Sequence, residues 1–189
     1  MLRIGILGAI GSGKSFIAKN FGFPVFNADN EVAKIYKKNK RIFLKLKKIL
    51  PQYFYSFPID KREVSKAILA NENNLNKIIK IIHFEVKKEM RLFLKKNKFK
   101  KFVILDIPLL LENKINNKKD ILVFVQSENS KIIKRLKKRG NYNHKLIAKF
   151  KSIQLPLDYK KKKSKFIIKN NFTKKSVRKD IKKILKEIL

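Results

Sequence analysis

Gly8-Ala9-Ile10-Gly11-Ser12-Gly13-Lys14-Ser15 fits the pattern G-x-x-x-x-G-K-[ST], and its setting gives the pattern meaning. An apolar run at residues 4–7 predicts a strand before it, and a helix is predicted directly after it. Glycines let successive backbone N–H groups converge on phosphate oxygens, and a helix N-terminus adds the positive end of its dipole. Gly8, Ala9, Ile10, Gly11, Ser12, Gly13, Lys14 and Ser15 are therefore expected to cradle nucleotide phosphates, with Phe16 contributing only a backbone N–H. Lys14 suits the β- and γ-phosphates. The Ser15 hydroxyl suits Mg²⁺, a hard cation that takes oxygen ligands and keeps several waters.

Moving outward, short continuous apolar runs recur at residues 24–26, 102–105, 121–125 and 166–168. Runs of this kind between helical patterns fit parallel strands buried on both faces, so the class is α/β. Helical periodicity is clearest at residues 78–94, where Ile79, Ile82, Val86, Met90, Phe93 and Leu94 step by three and four. A last helix carries Val177, Ile181, Ile184, Leu185 and Ile188 on one side, with Asn171 or Thr173 as its cap. Another helix is expected over 129–139. The long stretch between the second and third strands keeps helical periodicity, which predicts a helical insertion and not a linker.

The chain has 189 residues, room for one domain with a substantial core. No apolar stretch reaches the roughly 20 residues a bilayer span needs, and no leader is evident at the start, so cytoplasm is the expected compartment. With no Cys, disulfides and thiolate metal sites are excluded. The formal charge is +35 from 49 basic and 14 acidic residues. Lysines dominate and are spread along the chain, in company with many Ile, Asn and Phe, as A- and T-rich codons would produce. This reading expects no specific nucleic acid and no membrane partner, although such a field attracts anionic substrates.

With so few acids, a carboxylate at a strand end is informative. Asp29 follows the second strand and Asp106 ends the third, and ligands of parallel sheets bind beyond the strands' carboxyl ends. Asp29 suits acceptance of a proton from an attacking hydroxyl, and Asp106 suits Mg²⁺. A helix cap or a solvated loop carboxylate is the competing reading of each. Arg135 and Arg139, two of seven arginines, lie four apart on one helix face, where guanidinium geometry suits a transferring phosphoryl group. A basic helix surface is the alternative there. Asn117-Lys118-Lys119-Asp120 fits the guanine-reading pattern N-K-x-D, but it precedes a strand instead of following one, so it is discounted.

Taken together these residues resemble the dephospho-coenzyme A kinase family. The likeness runs from Ile6 through Ser15, to Asn27-Ala28-Asp29 against the family's D-A-D, and to Asp106-Ile107-Pro108-Leu109-Leu110-Leu111-Glu112 against D-x-P-L-L-x-E. It continues through Arg135-Leu136 with Arg139, Gln154 and Asn170. Asn27 replaces an Asp, Ala9 a Gly, Phe84 a Pro, and Ser164-Lys165 stands for Ala-Asp.

The resemblance implies ATP and Mg²⁺ as cofactors and transfer to the ribose 3′-hydroxyl of dephospho-coenzyme A. Asp29 would be the base, Lys14, Arg135 and Arg139 would serve the phosphoryl group, and Asn170 would join the nucleotide site. His83, Pro108, Leu109 and Glu112 would lie with the acceptor. The implied fold is a P-loop kinase core, a five-stranded parallel sheet flanked by helices, in a single domain spanning 1–189. Its core covers about 1–30, 100–128 and 164–189, the helical acceptor-binding insertion about 31–99, and the lid with its following helix about 129–163. A monomer or small homo-oligomer is expected. The rival readings are another small P-loop kinase, acting on nucleosides, nucleoside monophosphates or shikimate, and a basic nucleic-acid-binding NTPase.

Overall fold

The computed structural model describes every residue but Arg139 and Asn141, and the backbone without the side chain of Glu72. The chain forms two compact units. The first contains residues 1–27, 97–142 and 154–189, the second residues 28–96 and 143–153.

The first unit is built on five parallel strands: β1 (Leu2–Gly8), β2 (Val25–Asn27), β3 (Phe102–Asp106), β4 (Ile121–Gln126) and β5 (Phe166–Lys169). Their order is β2-β3-β1-β4-β5, which sets β1 in the centre between β3 and β4. All five follow the apolar runs; β1, β3 and β4 are interior strands, which need apolar side chains on both faces. The second starts one residue late, at Val25. Pro24 has no N–H to give the ladder, but its carbonyl still accepts from the amide of Ile104 at 2.9 Å.

Side chains alternate across β1. Ile4 and Ile6 join Ile17 and Ala18 of α1 (Lys14–Asn20) and Val177, Ile181 and Ile184 of α9 (Lys174–Ile188) in a buried cluster. Gly5 points to the other face, where Leu110 and Leu122 occupy the space a side chain would need. Thr173 is the cap residue of α9 but makes no side-chain cap bond. Asn171 does the work, its Oδ1 accepting from the Thr173 amide at 3.1 Å and from Ser176 Oγ at 2.6 Å.

The second unit is helical: α2 (Ala28–Lys38), α3 (Lys40–Ile49), α4 (Lys61–Ala70), α5 (Glu72–Lys96) and α7 (His144–Ser152). Asn39, Asp60 and Asn143 cap α3, α4 and α7 by accepting from backbone amides. The stripe of α5 is shifted from the expected one. Leu75, Ile78, Ile82, Val86 and Met90 are buried, whereas Ile79, Phe93 and Leu94 are only half-buried at its margin. Among the described residues no helix is long and apolar enough to cross a membrane.

Candidate active site

The loop after β1 is held from three sides within the first unit. From one side comes α6 (Asn129–Lys137), whose Ile132 and Leu136 pack so closely on Gly11 that a Cβ there would meet both at 3.0 Å. A second tie is the Ser12 carbonyl, which accepts from Ser127 Oγ at 3.0 Å and from Asn170 Nδ2 at 2.7 Å. Asn170 is itself buried after β5, and its amide donates to the Gln126 carbonyl at 2.8 Å. The third contact is internal, since Lys14 Nζ donates to the carbonyls of Gly8 (3.0 Å) and Ala9 (2.8 Å).

Gly13, at φ 94°, turns the chain into α1, a left-handed geometry that a side chain resists. No side chain caps the start of α1, and an uncapped helix start is the kind of helix end at which anions bind. The sequence of the loop thus specifies its curvature, while residues from two distant stretches, 127–136 and Asn170, fix its position. Ser15 follows as the second residue of α1.

Seating Leu136 on Gly11 also brings its neighbour Arg135 to the cradle. A Cβ on Gly13 would lie 3.5 Å from Arg135 Nη1 and 3.4 Å from the ring of Phe172. The Arg135 guanidinium sits over that ring, 4.7 Å from its centroid. Arg139 lies outside the described residues. Phe172 was not anticipated from the sequence, and no periodicity or motif would have drawn attention to it.

Asp106 ends β3 in register with Asn27 at the end of the neighbouring β2, and is 3% exposed. Asn27 Nδ2 donates to its Oδ2, so a neutral amide occupies the place where a second carboxylate would repel. Asp29 stands two residues further on, in the first turn of α2, where the helix dipole favours a negative charge. Beyond β3, Pro108 and Leu109 form a turn pinned by the buried Leu110, with the Asn113 amide donating to the Leu109 carbonyl at 3.2 Å. Glu112 is engaged inside the first unit: Oε1 accepts from Lys160 at 2.6 Å and from the Leu155 amide at 3.0 Å.

His83 lies on α5 in the second unit, and its Nε2 is buried with no hydrogen-bond partner among the described residues. Burial, aided by the positive charge of Lys87, lowers its pKa from the usual 6.5. Its neighbour Phe84 is 69% exposed. The N-K-x-D segment has a structural role, because Asp120 accepts from Arg3 Nε at 2.7 Å and from Nη2, and also from the Asn117 amide at 2.9 Å.

A family model described as dephospho-CoA kinase matches residues 2–176. A relative from Wolbachia sp. subsp. Brugia malayi (strain TRS), named dephospho-CoA kinase, is 34% identical over 187 residues, covering 96% of this chain and 95% of its own. Among solved structures, a protein from Thermus thermophilus aligns over 100% of this chain and 98% of its own, with a TM-score of 0.77 and 24% identity. A dephospho-CoA kinase from Campylobacter jejuni aligns over 98% and 96%, with a TM-score of 0.63 and 22% identity. The two structures speak for the fold; the family model and the relative speak for descent.

Proposed function

The chain belongs to the dephospho-CoA kinase family and carries out ATP-dependent phosphorylation of dephospho-coenzyme A; we propose that residues 8–15 hold the donor's phosphates and that Asp29 activates the acceptor. The observation that carries this reading is the cradle itself. An uncapped helix start, a left-handed glycine and an ammonium already hydrogen-bonded within the loop together support its reading as a site for a polyphosphate.

In the reaction, the ribose 3′-oxygen forms its bond to the γ-phosphorus as the bond to the β–γ bridging oxygen breaks. ADP leaves with that electron pair, and the hydroxyl proton passes to the Asp29 carboxylate. Lys14 and Arg135 stabilise the spreading charge, with Arg139 joining them on the strength of its place in the motif. Asn170 supports the site by fixing Ser12.

Mg²⁺ fits the available donors, the Ser15 hydroxyl in the helix after β1 and the Asp106 carboxylate at the end of the adjacent β3, both hard oxygens. When bound it neutralises charge on the β- and γ-phosphate oxygens. The helical second unit, with His83, is the proposed acceptor-binding part, and Pro108, Leu109 and Glu112 shape the turn after β3 toward the same end. Cytoplasm is the compartment that suits such chemistry.

The reading is tested by incubating the full chain with ATP, Mg²⁺ and a panel of acceptors. Phosphate on the 3′-oxygen of dephospho-coenzyme A, located by ³¹P NMR, is the expected product. Transfer only to a nucleoside, a nucleoside monophosphate or shikimate would overturn it.

A further inference from the structure

Phe172 occupies a conformation that bulky residues avoid. Its φ is 67°, in the left-handed region where glycine or asparagine would sit without strain. Such outliers persist only where the surroundings over-determine them, and they gather at functional sites. Here the backbone is held by the buried Asn170, whose Oδ1 accepts from the Phe172 amide at 2.9 Å while its Nδ2 ties down Ser12. One side chain therefore fixes both the phosphate loop and the strained turn.

Core packing does not account for the ring. Phe172 is half-buried and lies outside the buried apolar cluster. The ring lies under the guanidinium of Arg135, an otherwise exposed residue, and would be met at 3.4 Å by a Cβ on Gly13. A free arginine at a helix surface samples many rotamers and loses that freedom on binding a ligand. A ring beneath the guanidinium plane restricts it beforehand, beside the cradle.

We infer that Phe172 is a positioning residue for ATP binding: its strained backbone presents the ring that holds Arg135 against the phosphate loop. The inference rests on the cradle reading and assigns a role to a residue outside every motif.

The test measures ATP affinity by calorimetry with Mg²⁺ present, together with thermal stability, on the full chain. Phe172→Gly and Phe172→Asn relieve the backbone but remove the ring; both should bind ATP at least about fivefold more weakly with no fall in Tm. Phe172→Tyr keeps the ring and should stay within about twofold of the parent. With Arg135→Ala present, Phe172→Gly should have no further effect, because it acts through that guanidinium. ATP affinity unchanged in Phe172→Gly, a lowered Tm in that variant, or full additivity with Arg135→Ala would overturn the inference alone. Failure of the parent chain to bind ATP would overturn the cradle reading and this inference with it.

Discussion

Lys160 Nζ and Glu112 Oε1 lie 2.6 Å apart in the sheet-bearing unit, with Lys160 only 1% exposed. The pair joins the turn after β3 to α8 (Leu157–Lys163), and the Leu155 amide donates to the same carboxylate oxygen. Removing one member of a buried ion pair costs about 3–5 kcal/mol, since the other charge stays in low dielectric without its partner. Lys160→Met should lose stability of that order in urea unfolding. The double variant Lys160→Met/Glu112→Leu should be less destabilised than Lys160→Met alone. Equal losses would mean that the charge left behind is not what matters.

Arg3 and Asp120 make a second inward-facing pair, and it decides what the N-K-x-D segment does. Asp120 is occupied by Arg3 and the Asn117 amide, so it has no role in reading a base. Asp120→Asn should lower stability by about 1–3 kcal/mol through the loss of a charge-assisted hydrogen bond. The ratio of kcat/KM for ATP to that for GTP should stay unchanged. A shift of that ratio toward ATP in the variant would restore the guanine-reading interpretation.

These two pairs also show where sequence reading stops. The three inner strands were legible because burial on both faces leaves continuous apolar runs, a local signal, and the two edge strands carry shorter runs of the same kind. The loop after β1 was legible because its backbone curvature and the helix start impose residue types at fixed spacing. Nothing local marks Lys160 among 42 lysines as the one that is buried, since its partner lies 48 positions earlier in the chain. Phe172 is hidden for a similar reason: its positive φ depends on Asn170, and the value of its ring depends on Arg135. The segment at α7 groups with the helical unit through contacts that its own periodicity does not encode.

Asp29→Asn separates binding from chemistry. As a base for the acceptor hydroxyl, the carboxylate in the first turn of α2 is needed for proton transfer and not for holding ATP, so ATP affinity should change by less than about threefold. Without a proton acceptor, the 3′-hydroxyl is a poor nucleophile, and kcat should fall by about 10²–10⁴-fold. Single-turnover kinetics with saturating ATP measures the drop. Retention of the parent rate would remove Asp29 from the reaction.

Lys14→Ala should act differently from Asp29→Asn. The ammonium bonds to the carbonyls of Gly8 and Ala9, so its loss weakens the loop as well as the charge stabilisation it offers the phosphoryl group. Both ATP affinity and kcat should fall, and kcat/KM should drop by at least about 10³-fold. Circular dichroism should be unchanged, because the core cluster beneath the loop does not include Lys14. A loss confined to kcat would show that the lysine acts only in the transition state.

His83 links pH to the helical unit. Burial and the charge of Lys87 hold its folded pKa below the 6.5 of an unfolded chain. Between those two values the unfolded chain binds more protons than the folded one, so stability must fall as pH falls from 6.5. Above 6.5 the imidazole is neutral in both states and contributes no slope. NMR titration should place the His83 midpoint below 6.5, and His83→Gln should flatten the acid side of the stability profile. Its Nε2 is buried without a hydrogen-bond partner among the described residues, so whether the acceptor reaches the ring is a matter for experiment. Dephospho-coenzyme A, added without ATP, should shift the His83 ring resonances, whereas an unmoved ring would take His83 out of the acceptor site.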